Sequence, residues 1–299
     1  MFLKNAQTGK IKASKDIKIF YSTNVQVSKK NLPPLIFNYG LVCSHEHFRH
    51  QIEFFDSLGY PIVLHDYRFH YNSDSKASIK HCTLKNICHD LLTLLDELKL
   101  NRVILVGHSM GVNISLEFSK MFPQRVQKNI LISGTVLPPH DVMFDSNLMD
   151  ITLPIIINLR EKIPQTFNLL WKYSHFNPLI RKIVHMGGFN TQCVPDEFVK
   201  IYLKKISELK PELFFKLFDE MGKQNILPYL SKIKVPNLII GGDKDFVIPN
   251  YLQRILSENL PHSELYIVKD GSHVPQWDFP NMINERMLKF VQDPDFLDQ

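Results

Sequence analysis

The stretch best equipped for chemistry is Gly107-His108-Ser109-Met110-Gly111. A serine flanked by glycines two residues away on either side follows the apolar run Val103-Ile104-Leu105-Val106 and precedes a segment of helical periodicity. That context reads as a strand entering a helix through a tight turn, with the middle hydroxyl held out at the carboxyl end of a sheet. Small residues at the two flanking positions prevent clashes within so sharp a turn. The N–H of Met110, at the helix start, has no intrahelical acceptor and can stabilise an oxyanion. The chemistry implied is attack by Ser109 on an acyl carbonyl.

A serine hydroxyl is too weakly acidic to attack unaided, so a base and a group that orients it are required. Two later loops supply candidates in the order Ser, Asp, His. Gly242-Asp243-Lys244-Asp245 follows one predicted strand, and Asp270-Gly271-Ser272-His273 follows the last. The chain has thirteen histidines, and it is position after the last strand that singles out His273. Either Asp243 or Asp245 could orient it. His45-Glu46-His47-Phe48-Arg49-His50 looks metal-like, but Arg49 occupies the place of the second histidine of HExxH, so no metal is expected. No phosphate-binding lysine motif or GxGxxG follows a strand, and no cofactor is expected.

The elements that must position these residues alternate between short β-branched runs and longer helical patterns, as in a parallel sheet covered by helices. Strands are predicted at 17–21, 35–38, 61–65, 103–106, 129–133, 237–241 and 264–268. Helices are predicted at 47–58, 83–98, 109–121, 251–258 and 281–291. In the second helix Leu84, Ile87, Leu91, Leu94, Leu95 and Leu98 form one buried stripe. From 138 to 224 the alternation stops, and prolines at 138, 139, 154, 164, 178 and 195 divide the run into short helical pieces. The predicted organisation is an α/β core, 1–137 with 225–299, and an inserted helical cap or lid at 138–224. Its aromatic residues Phe167, Trp171, Tyr173, Phe176, Phe214, Phe215 and Phe218 are expected mostly in packing, with a few lining an acyl pocket.

Composition narrows the class further. Of 299 residues, 44% are hydrophobic and 22% charged, as in ordinary folded chains. No apolar run approaches the roughly 18 to 20 residues that cross a bilayer. The amino-terminal segment lacks the apolar centre of a secretory signal, so the expected compartment is the cytoplasm. Four scattered cysteines suggest free thiols rather than a disulfide framework. A net charge of +5 spread thinly along the chain gives no nucleic-acid footprint.

On these residues the sequence resembles the α/β-hydrolase superfamily, in its cap-bearing esterase-like branch, from Leu35 to the final helix. The resemblance implies an α/β-hydrolase fold and a serine hydrolase acting on a small-molecule carboxylic ester or thioester. Asp245-Phe246-Val247-Ile248-Pro249 matches the family's acid before a short apolar stretch ending in proline, which prefers Asp245 over Asp243. Gly271-Ser272-His273, with Trp277, Phe279 and Pro280, matches the histidine loop. The second oxyanion donor is implied to be the N–H of Leu41 in Asn38-Tyr39-Gly40-Leu41, where Tyr39 replaces the usual histidine. Asp66-Tyr67-Arg68-Phe69-His70-Tyr71-Asn72-Ser73 stands where the family has D-x-R-G-H-G-x-S, with both glycines replaced by aromatics. Serine at the turn argues against the aspartate-dependent dehalogenases and epoxide hydrolases. Carbon–carbon bond hydrolases, amidases, acyltransferases and slow-turnover ligand receptors share the residues and stay open.

Overall fold

The computed structural model describes residues 3–29, 31–145 and 148–294, which build a nine-stranded sheet flanked by helices. The strands are β1 (Gln7–Ser14), β2 (Ile17–Thr23), β3 (Leu35–Asn38), β4 (Ile62–His65), β5 (Asp74–Ser75), β6 (Val103–His108), β7 (Val126–Ile132), β8 (Asn237–Gly242) and β9 (Ser263–Val268). Their order is β1-β2-β4-β3-β6-β7-β8-β9, with β5 paired to β2. The strands from β4 to β9 in that order run parallel, and β2 and β1 add an antiparallel edge. Every residue of β3, β4 and β6 is buried, which is why these strands are continuously apolar rather than alternating.

The helices are α1 (Arg49–Ser57), α2 (Leu84–Glu97), α3 (Met110–Met121), α4 (Pro139–Val142), α5 (Leu148–Lys162), α6 (Pro164–Lys172), α7 (Pro178–Gly188), α8 (Asp196–Glu208), α9 (Pro211–Lys223), α10 (Tyr251–Asn259), α11 (Pro275–Asp278) and α12 (Pro280–Gln292). Thr83 caps α2 by accepting the Asn86 N–H at 3.1 Å, and the predicted leucine stripe is buried from Leu84 to Leu95. A buried ion pair pins α2 to the loop after β4. Arg68 bonds both Asp90 oxygens, at 2.6 and 2.7 Å, and also donates to the His81 carbonyl at 2.9 Å.

Two expectations need correction. The predicted helix at 47–58 is a 3-10 turn (His45–Phe48) followed by α1. Pro154, expected to break the chain, lies inside α5, whereas Pro164 and Pro178 open α6 and α7, where a missing N–H costs nothing. Between β7 and β8 the described residues contain helices and no strand. No helix among the described residues is long and apolar enough to cross a membrane.

This topology fixes where chemistry can occur. From β3 the chain moves to β4 on one side, then returns past β3 to β6 and continues to β7, β8 and β9 on the other. The winding reverses between β3 and β6. Beyond the carboxyl ends of strands at such a reversal, the following loops diverge and leave a crevice. The loop after β3 carries Gly40 and Leu41, and the turn after β6 carries Ser109.

Candidate active site

Ser109 adopts φ 54° and ψ −121°, a conformation that residues with a Cβ rarely occupy. Its neighbours enforce this. The Ser109 N–H donates to the Ile132 carbonyl at 2.9 Å, extending the β6–β7 pairing by one bond, while its own carbonyl accepts from Val112 at 2.9 Å and starts α3. The flanking glycines are demanded by contact. A Cβ on Gly111 would lie 1.9 Å from the Asn38 carbonyl oxygen, and one on Gly107 would lie 2.4 Å from the Gly111 oxygen. The hydroxyl does not cap the helix it opens.

Asp245 and Asp243 separate clearly in space. Asp243 is exposed, whereas Asp245 is buried and its Oδ2 lies 2.9 Å from His273 Nδ1. Its other oxygen accepts from the N–H groups of Val247 and Ile248 at 2.9 and 2.8 Å. The carboxylate therefore cannot rotate without losing bonds. Facing an acceptor, Nδ1 is the nitrogen that carries the proton in the neutral His273 ring, which leaves the lone pair on Nε2. His108 fixes the backbone of the same residue, its Nε2 donating to the His273 carbonyl at 2.9 Å with the two rings 4.9 Å apart. The structure thus brings His273 onto Asp245 and onto the residue preceding Ser109. No hydrogen bond joins Ser109 Oγ to His273 among the described residues. Contacts of this kind commonly tighten only when substrate binds.

The loop after β3 passes directly against the turn. A Cβ on Gly40 would lie 3.1 Å from Ser109 Cβ and 3.3 Å from the His108 carbonyl oxygen. The N–H groups of Leu41 and Met110 find no acceptor among the described residues, which leaves both available to a ligand. The loop is strained at Val42, with φ 49°, and is braced by the Tyr71 hydroxyl donating to the Cys43 carbonyl at 2.8 Å. Phe69 and Tyr71 keep the left-handed backbone that glycine would adopt there, at φ 67° and 35°. Tyr39 joins the same arrangement: Tyr67 donates its N–H to the Tyr39 hydroxyl at 3.0 Å and its own hydroxyl to the Tyr39 carbonyl at 2.9 Å. The aromatic departures from the family pattern are thus tied to one another and to the loop bearing Leu41.

The metal-like segment does not converge. His45 stands edge-on to Tyr39, His50 packs on Trp277, and His47 lies among His108, Phe198 and Tyr202. Burial, and to a smaller extent the nearby His273, lowers the pKa of His47 to about 3, so the ring is neutral near pH 7. Neither of its nitrogens has a hydrogen-bond partner among the described residues. Of the insertion's aromatics, Phe198 and Tyr202 are the ones packed against this region. Phe167 is buried within the insertion, and Phe176 is exposed.

Besides His108, two contributors escaped the sequence reading. Buried Asp278 accepts from the Ser272 N–H at 2.6 Å and the Ser272 hydroxyl at 3.1 Å, holding the residue beside His273. Asn190, after α7, brings its backbone up to Asp278 and donates its side chain to the Asp270 carbonyl at 2.8 Å. Burial raises the Asp278 pKa to about 6 against these donors, and the charge of Asp245 adds to the rise. Between about pH 4 and 6 the folded chain therefore binds a proton that the unfolded chain releases, and stability falls as pH rises through that window. Asp278→Asn should abolish this slope. Urea unfolding of both proteins at pH 4 and pH 6.5 should show their stability difference change by up to about 3 kcal/mol, the wild type losing ground at the higher pH. An unchanged difference would contradict the assignment.

With this geometry described, comparison with known proteins places the chain. A family model described as the alpha/beta hydrolase fold matches residues 33–280. The chain belongs to that family. It is 25% identical over 230 residues, 75% of this chain and 71% of the relative, to a 2-hydroxy-6-oxononadienedioate/2-hydroxy-6-oxononatrienedioate hydrolase of Escherichia coli strain K12. Among solved structures, an esterase from Exiguobacterium antarcticum superposes with a TM-score of 0.77 at 20% identity, covering 96% of this chain and all of that one (100%). The enol-lactonase of Burkholderia xenovorans LB400 gives 0.75 at 16% identity, covering 95% and 100%. At these identities the structural likenesses speak for the fold, and the family supports a hydrolase.

Proposed function

We propose that the chain is a serine hydrolase that cleaves an uncharged carboxylic ester or thioester through an acyl-enzyme. The observation that carries this reading is the 2.9 Å contact between His273 Nδ1 and Asp245, in a loop that His108 ties to the strained Ser109 turn. Ser109 Oγ attacks the acyl carbonyl while His273 Nε2 takes its proton, and Asp245 stabilises the imidazolium that forms. The N–H groups of Leu41 and Met110 bind the oxyanion. His273 then protonates the departing alcohol or thiol. It next draws a proton from water, which attacks the acyl-enzyme, and returns that proton to Ser109 Oγ as the acyl–oxygen bond breaks and the acid leaves. The helical segment 138–224 serves as the cap, with Phe198 and Tyr202 facing the acyl group.

Carbon–carbon bond hydrolysis is the second reading, favoured by the name of the Escherichia coli relative. A dienedioate is a dianion, however, whereas the ring that packs on His273 is that of neutral His108, and the rings that continue from it are those of neutral His47, Phe198, Tyr202 and Trp277. An apolar, uncharged acyl chain suits them better. The test pairs fluorophosphonate labelling, read by intact mass, with turnover of p-nitrophenyl butyrate, its thioester counterpart and a 2-hydroxy-6-oxo-dienedioate. One adduct that disappears in Ser109→Ala and His273→Ala, with the esters turned over faster, is the expected result. An adduct persisting in Ser109→Ala would remove the nucleophile, and preference for the dienedioate would replace the ester reading with the second.

A further inference from the structure

We propose that the outer face of α5, α6 and α7 docks onto an anionic lipid surface. This goes beyond the hydrolase reading and does not depend on it.

The apolar surface of this chain is unevenly distributed. Of the sixteen large apolar side chains exposed among the described residues, eleven fall between Ile155 and Met186. They follow helical spacing: Ile155 and Leu159 lie one turn apart on α5, and Leu179 and Ile183 one turn apart on α7. Phe176, in the 3-10 turn between α6 and α7, is 71% exposed and stacks on Tyr173. The helices are successive neighbours, α5 against α6 and both α6 and α7 against that turn. On their other side α6 buries Phe167 and α7 packs half-buried Ile180 and Val184 against the cluster of Phe189, Val194 and Phe198, so the outward apolar residues of these two helices are not a misread core face. Phe167 of α6, for example, packs toward Trp171 and Phe215. Soluble monomers rarely group so many apolar side chains without a partner for them.

Charge selects the partner. Between residues 154 and 188 there are five lysines and arginines and a single acid, Glu161. Arg181 is paired with Asp196 and Arg160 lies over the Phe215 ring, but Lys162, Lys172 and Lys182 are exposed and make no ion pair among the described residues. In a two-fold dimer built on this face each lysine would meet its own copy's basic surface, an arrangement that like charges oppose. A bilayer bearing anionic headgroups complements both features at once, taking the apolar side chains below the headgroups and the lysines among them.

The test is flotation of the whole chain with vesicles of phosphatidylcholine alone and of phosphatidylcholine mixed with phosphatidylglycerol. Binding should be stronger to the mixed vesicles and should weaken as salt is raised. Lys162→Gln, Lys172→Gln and Lys182→Gln combined should weaken it on the order of 100-fold, at about fivefold for each lysine. Phe176→Ser, Leu179→Ser and Ile183→Ser combined should weaken binding to either vesicle. All six positions are exposed, so melting temperatures should be unchanged, and a variant that melts early is replaced by its single substitutions. Equal binding to the two vesicles, or none, overturns the proposal. So does a dimer in sedimentation velocity that the serine variant converts to monomer, which would assign the face to a second copy of the chain.

Discussion

Ser109→Ala is expected to lower kcat on the order of 10⁶-fold while leaving substrate binding nearly unchanged, because it removes a bond made only along the reaction path. Asp245→Asn should be nearly as informative, with a loss of about 10⁴-fold. The reason is specific to this carboxylate. One Asp245 oxygen accepts two backbone N–H groups, from Val247 and Ile248, so the amide oxygen of an asparagine would take that position. Its NH2 would then face His273 Nδ1 and force that nitrogen to accept. The proton would move to Nε2, the nitrogen that receives the serine proton in the proposed mechanism, and the base would be lost without any change in shape. Single-turnover kinetics with active-site titration checks both variants. A loss under tenfold in Asp245→Asn would mean that the His273 tautomer is set by something else.

The largest expected effect on stability lies away from the site, at Asp90. Arg68 and Asp90 have side chains only 8% and 4% exposed, and they meet through two hydrogen bonds. Asp90→Ala leaves a guanidinium buried without its counter-charge and should cost about 3–5 kcal/mol. Replacing both, as Arg68→Met with Asp90→Leu, removes the stranded charge and should recover most of that loss. Urea unfolding measures the pair of results. A single variant within about 1 kcal/mol of wild type would show that the ion pair does not hold α2 to the loop after β4.

How far the sequence could be read depended on whether a feature was local. The parallel strands announce themselves because burial on both faces forces continuous apolar runs, as in β6, and the predicted bounds differ by only a few residues. The first strand was missed because Gln7–Ser14 buries Ile11 alone and so carries no pattern. The turn at Ser109 was legible because its glycines are required within five residues of chain. Preference for Asp245 over Asp243 came from a family likeness, and the fold gives the physical distinction, one carboxyl turned inward and the other to solvent. Asp278, His108 and Asn190 were not legible. His108 reaches His273 across 165 residues, and Asn190 reaches Asp270 across 80, distances at which no local pattern reports contact. The replacements at 69 and 71 are similar: nothing in the sequence says that Phe69 and Tyr71 retain the backbone of the glycines they replace.

The left-handed backbone at Ser109 has a consequence for how this chain balances durability against activity. Glycine occupies that region of conformational space without strain, and serine does not, so the fold would be more stable by about 1–3 kcal/mol if residue 109 had no side chain. Alanine keeps the Cβ and therefore keeps the strain, which makes it the substitution that alters the hydroxyl and little else. A chain selected for heat resistance alone would drift toward glycine at this position and lose the hydroxyl proposed as its nucleophile.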